Sequence, residues 1–311
     1  MKIASIDIGT NTVLLLICEV KNGIILPVKE QFRIPRIGRG LFVKKEIPED
    51  AVSDLVKILL EYKKYCELHD VERIYCIGTA PFREAQNSKY VIESIKIKTG
   101  LEIKVLSEKE EALYAFLGGI SNFNEFNNKQ KFLVIDIGGA SIEITTGCVD
   151  KIFYMRSFPI GAVKLKDRYF HYFPYKYDLT IVYNYLNKFF NELEFYFNPN
   201  EIISIAVAGT PTTISAIKLG LKEFIESKVD KTIINVDFLT KLIENLYLLS
   251  PTEILQTYNA VVKGREDVIL PGAIILKYLI EKLGFHEIYV STRGVRYGLI
   301  VKNLVKLQDF E

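Results

Sequence analysis

The sequence predicts an α/β protein made of two related halves that face each other across a cleft. Three observations carry this. The stretch Lys131 to Glu143, KFLVIDIGGASIE, has a near-copy at Ile3 to Leu16, IASIDIGTNTVLLL. In both, an apolar run ends in Asp-Ile-Gly and is followed by a turn with small polar residues; such a duplication implies two related half-molecules. Short apolar runs alternate with amphipathic helical stretches, the pattern of strands feeding a common sheet. The chain has 311 residues, enough for two domains at about 150 residues each. Its 49% hydrophobic and 25% charged residues fit a soluble globular protein.

Each copy favours phosphate. Gly9, Gly138 and Gly139 let the backbone turn sharply and approach a ligand closely. N–H groups in such a turn can converge on an anion. Thr10, Asn11 and Thr12 in the first copy, and Ser141 in the second, add side-chain donors. Asp7 and Asp136, where strand meets loop, are placed to hold Mg²⁺, a hard ion that prefers carboxylate and phosphate oxygens. A third loop of this kind, with Gly209 and Thr210, lies in Ile205 to Thr213, IAVAGTPTT. The bland alternative for a single copy is a strand followed by a hairpin turn.

After the first hairpin, Lys29 to Lys45 is basic, with Arg33, Arg36, Arg39, Lys44 and Lys45. It reads either as solvated surface or as a polyanion-attracting lip, since guanidinium suits phosphate. Pro48 opens an amphipathic helix with Val52, Leu55, Val56, Leu59 and Tyr62 at helical spacing. Arg73 to Gly78 is a strand, Ala80 to Thr99 a helical segment and Leu101 to Leu106 a strand. Arg83 lies just past a strand end, where sheet ligands bind. A cation in a helix's first turn opposes the helix dipole unless an anion offsets it; phosphate contact and a surface ion pair are the two readings. Ser107 and Glu110 form a capping box. Glu111 points about 100° further round the helix and is free of that duty. Ser121 to Gln130 is a polar link. Residues 164 to 200 carry aromatics at helical spacing (Tyr183, Leu186, Phe189, Leu193), which is core packing, preceded by Lys164, Lys166 and Arg168. Residues 212 to 249 read as helices with a short strand near Ile233 to Val236. Residues 272 to 283 read as a helix, His286 to Ser291 as a strand and Val295 to Leu307 as a last helix.

Two phosphate loops and a third are the layout of the actin/Hsp70/sugar-kinase ATPase superfamily. Within it the chain resembles the exopolyphosphatase/guanosine pentaphosphate phosphohydrolase (Ppx–GppA) family. The matching pieces are Asp7-Ile-Gly-Thr-Asn-Thr12, Gly78-Thr-Ala-Pro-Phe-Arg83, Ser107-Glu-Lys-Glu-Glu-Ala112, Asp136-Ile-Gly-Gly-Ala-Ser-Ile-Glu143, Pro159-Ile-Gly161, Ala208-Gly-Thr210, Asp267-Val-Ile-Leu-Pro-Gly272 and Ser291-Thr-Arg-Gly-Val-Arg296. They run in order over essentially the whole chain.

The resemblance implies two actin-like (ribonuclease H-like) α/β domains, with residues 1–119 plus 295–311 as the first and 120–294 as the second. It implies a Mg²⁺-dependent phosphohydrolase that releases terminal orthophosphate from inorganic polyphosphate, from guanosine pentaphosphate, or from both. Glu111 maps to the glutamate that positions and deprotonates the attacking water. Asp136 and Glu143 map near the metal, with Asp7. Arg83 and Arg265 map to phosphate-binding arginines, and Gly9 to Thr12, Gly138, Gly139, Ala140, Ser141, Gly209 and Thr210 to the phosphate loops. The chain departs from the family at four points. Leu113 stands where an arginine is usual, Ala140 and Ala208 where glycines are usual, and Tyr297 where a glutamate is usual.

Net charge of +2 gives no bulk drive toward nucleic acid or membrane, and no apolar run approaches the ~18 residues of a spanning helix. The N-terminus enters a strand with no signal peptide. Four scattered cysteines, without C-x-x-C spacing, fit a reduced cytoplasmic protein. There is no P-loop. The chain ends before a C-terminal His-Asp helical domain and so resembles the short family form. A homodimer is compatible with this reading. A non-catalytic sensor of polyphosphate or a guanosine alarmone is the first rival. Another ATPase or sugar kinase of the superfamily is the second, and an actin-type filament protein the third.

Overall fold

A computed structural model describes residues 1–21, 24–123, 129–191, 193 and 199–304. Two sheets organise them. The first contains β1 (Lys2–Ile8), β2 (Val13–Lys21), β3 (Ile24–Arg33), β4 (Arg73–Gly78) and β5 (Ile103–Val105), in the order β3-β2-β1-β4-β5. The second contains β6 (Lys131–Ile137), β7 (Ile142–Cys148), β8 (Lys151–Phe158), β9 (Ile202–Val207), β10 (Ile233–Asn235) and β11 (Glu287–Val290), in the order β10-β11-β9-β6-β7-β8. In both, an antiparallel meander of three strands joins parallel strands on its far side. The duplication extends to a detail: the pairing shifts at Ile17/Cys18 in the first meander and at the corresponding Thr146/Gly147 in the second.

Burial explains the near-continuous apolar runs. In β1 and β6 the residues leading up to the aspartates are buried on both faces, as strands covered by other layers must be. The helix Glu49–Leu68 puts Val52, Leu55, Leu59 and Tyr62 into the first core. Leu179–Phe190 puts Val182, Leu186 and Phe190 into the second, where Tyr183 and Phe189 pack as well. The helix Glu108–Ile120 packs on β6 to β9. The helix Val295–Leu304 crosses it and covers β1 and β2. An apolar cluster including Phe116, Leu117, Phe132, Val207 and Leu299 joins the two lobes around this crossing.

Three expected elements differ. The segment Ala80 to Thr99 forms two helices, Ala80–Glu84 and Ser88–Thr99, with Ala85 extended between them. There the chain bonds elsewhere: the Gln86 N–H donates to Lys45 O (2.8 Å), and the Asn87 amide both accepts from and donates to the Ile47 backbone (3.0 and 2.9 Å). Those tertiary bonds replace the helical ones. The helix expected from residue 272 begins earlier, at Ile269, with Pro271 in its first turn, where a missing N–H is tolerated. The strand expected at Leu101 to Leu106 shortens to Ile103–Val105. Parts of three expectations lie outside the described residues: 124–128 of the polar link, 192 and 194–198 of the aromatic stretch, and 305–311 of the C-terminal segment. Among the described residues no helix is long and apolar enough to cross a membrane.

Candidate active site

The strand ends carry the site. β1 and β6 finish at the two Asp-Ile-Gly turns, and the turns close identically: Gly9 N–H donates to Thr12 O (3.0 Å) and Gly138 N–H to Ser141 O (3.1 Å). Neighbouring backbone ties back the turn carbonyls. Arg36 and Gly38 donate to Asn11 O and Thr10 O (3.2 and 2.9 Å), while Ala162 and Val163 donate to Gly138 O and Gly139 O (3.0 and 2.9 Å). The loops of the two lobes touch, since a Cβ on Gly139 would stand 3.0 Å from Thr10 Cβ. Thr10, Ala140 and Ser141 are buried at this junction.

Asp7, Glu111, Asp136 and Glu143 lie near enough for their charges to bear on one another. Asp136 stands opposite Glu143 in the β6–β7 ladder, whereas the matching partner of Asp7 is Leu14. Burial lifts the Asp7 carboxyl to about 7, with Glu111 adding to the rise and Arg296 opposing it. Burial, then Glu111 and Asp7, lift Asp136 to about 8. Glu143 is pushed well up by burial, Glu111 and Asp136, against hydrogen bonds from Ser157 and Ser141. Ser157 Oγ donates to Glu143 Oε1 at 2.7 Å. Asp7 Oδ1 is buried with no hydrogen-bond partner. Among the described residues, no three His, Cys, Asp or Glu side chains are grouped to hold a metal alone.

The capping box forms as expected, with Ser107 and Glu110 bonded reciprocally. Glu111 is buried and turned away from it, toward Arg83, whose Nη1 lies 2.6 Å from Glu111 Oε2 and 3.0 Å from Leu106 O. Arg83 is thus part of a half-buried ion pair inside the site, which neither simple reading of it foresaw. Burial raises the Glu111 carboxyl and the Arg83 charge opposes that rise. Leu113 packs into the apolar cluster between the lobes.

Arg265 is half-buried and reaches from the second lobe to the Thr12 loop. A Cβ on Gly209 would stand 1.9 Å from Arg265 Nη1, so the guanidinium lies against the Gly209 backbone and only glycine leaves it room. Its Nη2 donates to Thr12 Oγ1 (2.9 Å), and the Asn11 amide donates to Gly264 O (3.3 Å). Burial and nearby Arg36 pull Arg265 down to about 10. The Thr210 side chain is buried against Gly272 within the second lobe, as that of Thr10 is against Gly38 in the first. Sequence reasoning missed Ser157 altogether. Its only signal is its register opposite Glu143, which appears once the strands are paired.

The profile of the Ppx/GppA phosphatase family matches residues 16–307. The chain belongs to that family. A solved Ppx/GppA family member from Aquifex aeolicus is 26% identical, with a TM-score of 0.82 and 99% of each chain covered. The fold is the actin-like one of such Ppx/GppA structures. Exopolyphosphatase 2 of Mycobacterium tuberculosis is 25% identical over 96% of this chain and 97% of its own length. The bifunctional 3-dehydroquinate synthase/phosphatase of Fusobacterium nucleatum is 30% identical over 97% of this chain, which spans only 46% of that protein. Of the positions where this Ppx/GppA chain departs from the family pattern, Ala208 takes φ 77° and ψ −171°. Tyr297 is buried and donates its hydroxyl to Glu30. A carboxylate is thereby supplied beside the last helix from β3.

Proposed function

We propose that the chain is a Mg²⁺-dependent phosphohydrolase that removes terminal orthophosphate from polyphosphate, guanosine pentaphosphate, or both. The carrying observation is the convergence of Glu111 with Asp7, Asp136 and Glu143 beside two glycine turns whose carbonyls are already bonded. With those carbonyls occupied, and the Gly9 and Gly138 N–H groups spent in closing the turns, the N–H groups of Thr10 to Thr12 and Gly139 to Ser141 are the polar edge left for phosphate oxygens. Asp7, with its orphaned oxygen, and Asp136 would hold the Mg²⁺, while Ser157 and Ser141 fix Glu143 behind them. Bound there, the cation neutralises charge on the phosphates.

Glu111 orients a water and accepts its proton. The water oxygen bonds to the terminal phosphorus as the bridging P–O bond breaks, leaving orthophosphate and a chain shorter by one phosphate. Burial raises the basicity of Glu111, and the Arg83 charge opposes that rise. Arg265 and Arg83 offset phosphate charge. The domain division belongs to the same reading: 1–119 plus 295–311, and 120–294, with the helix Glu108–Ile120 at the border. So does a cytoplasmic location without nucleic-acid or membrane partners.

Orthophosphate release is measured with Mg²⁺, long-chain polyphosphate and guanosine pentaphosphate in parallel. Glu111→Gln is expected to lower the rate by about 10²–10⁴-fold without lowering the melting temperature. Release from neither substrate, with both still raising the melting temperature, would replace the enzyme by the sensor. Undiminished release by Glu111→Gln would remove Glu111 from its role.

A further inference from the structure

Residues 264 to 267 of the second lobe lie as a strap across the first. Gly264 O accepts from the Asn11 amide (3.3 Å), and the Gly264 backbone rests on Ile34 so closely that a Cβ would stand 2.6 Å from Ile34 Cδ1. Arg265 reaches Thr12 (2.9 Å). Glu266 and Asp267 both hold Arg36. Its guanidinium forks onto Asp267 (Nη1–Oδ2 3.3 Å, Nη2–Oδ1 3.1 Å), and Nη2 also donates to Glu266 Oε1 (3.1 Å). Arg36 itself is anchored by its N–H to Asn11 O (3.2 Å) and sits at φ 53°, a left-handed conformation uncommon outside glycine and asparagine. The contacts therefore close a ring, from Asn11 to Gly264, along the strap to Asp267, through Arg36 and back to Asn11. Lys166 Nζ stands 3.9 Å from Asp267 Oδ2, completing the charges around the pair.

We propose that Arg36 is a positioning residue: its fork onto Glu266 and Asp267 clasps the strap to the first lobe and so holds Arg265 against the Thr12 loop. The inference rests on the phosphohydrolase reading for its kinetic consequence, although the clasp itself does not. A planar fork bonded to two carboxylates fixes direction as well as distance, which a lysine's point charge does not. All three side chains are a fifth to a third exposed, so the clasp can open without stranding a buried charge. Without it, the binding-competent arrangement becomes a smaller fraction of the population, and apparent affinity falls by that fraction. The chemical step, which Arg36 does not touch, is left alone.

The full chain is tested as Arg36→Gln, as Asp267→Asn and as the charge-exchanged pair Arg36→Asp with Asp267→Arg. Three readouts are taken: orthophosphate release against substrate concentration, tripolyphosphate binding by calorimetry, and radius of gyration by small-angle scattering. For Arg36→Gln, KM and the tripolyphosphate Kd are expected to rise about three- to tenfold, with kcat within about twofold and a measurably larger radius. The exchanged pair should recover a large part of all three, a result that a fold defect or a lost phosphate ligand would not give. The proposal is overturned if Arg36→Gln weakens tripolyphosphate binding while the radius stays unchanged and the exchanged pair recovers nothing, because Arg36 then contacts phosphate directly. It is also overturned if Arg36→Gln changes neither constant. If the wild-type chain releases no orthophosphate but binding and radius follow the expected pattern, the clasp stands and the hydrolase reading fails.

Discussion

Ala208 occupies a backbone conformation, φ 77° and ψ −171°, that is almost reserved for glycine and strains other residues by about 1–3 kcal/mol. It sits immediately before Gly209, against which Arg265 lies. Ala208→Gly should remove the strain at the expense of extra freedom in the unfolded chain. The expected net gain is about 1 kcal/mol, read as a melting temperature higher by about 2–4 °C in calorimetry. No gain, or a loss, would mean that the surrounding packing prefers the methyl group. At this scale some of the site was legible from local chemistry. Glu110 is consumed by its cap, which left Glu111 as the free carboxylate of the pair. The Arg83–Glu111 bond was not legible, because it joins residues 28 positions apart and depends on how a strand end meets a helix. The packing of Thr210 against Gly272 was not legible either, because the two belong to separate helices, Gly209–Lys218 and Ile269–Lys282.

Among the elements, the crossing of Glu108–Ile120 with Val295–Leu304 has the least slack. A Cβ on Gly298 would stand 1.7 Å from Tyr114 O, and one on Gly118 2.0 Å from Gly294 O. Backbone meets backbone there, and no side chain can give way. Gly298→Ala should therefore lower stability by about 2–3 kcal/mol, as overpacking does, and denaturant titration should show an earlier midpoint at unchanged slope. An unchanged midpoint would show that the helices separate freely. The duplicated strands could be read from sequence because both copies keep the same apolar run and turn. The break between Glu84 and Ser88 could not. Its cause is a set of hydrogen bonds to Lys45 and Ile47, and local propensity carries no trace of so distant a partner.

At the scale of the whole molecule, the lobes meet again on the side of the last helix. Glu30 of β3 accepts from Arg296 (3.2 Å) and Tyr297, and shares a hydrogen bond with Glu226 of the second lobe, which Thr292 also contacts. Arg293 lies over the Tyr297 ring. Burial and Glu30 lift Glu226 to about 8. Burial also works to raise Glu30, but Arg296, Glu226 and Tyr297 outweigh it, and Glu30 stays below the usual carboxylate range. The folded protein thus keeps a proton on Glu226 that the unfolded chain releases near the ordinary glutamate value. This contribution to stability is full below that ordinary value and is lost as pH rises through about 8. Melting should fall between pH 6 and pH 9, with Asp7 and Asp136 acting in the same direction as Glu226, and Glu226→Gln, which retains a donor toward Glu30, should make the profile shallower. An equally steep profile in that variant would place the titration elsewhere. The closing role of Val295–Leu304 also bears on how the protein is made. Ile3, Leu16 and Cys18 of the first sheet are covered by Tyr297 and Ile300, which leave the ribosome only after the whole second lobe. At about 5–20 residues per second, that face of the N-terminal sheet stays bare for roughly ten to forty seconds. The core on the sheet's other face draws on no residue beyond Val105, so the N-terminal half can pack one side early while the other waits for the chain's own tail.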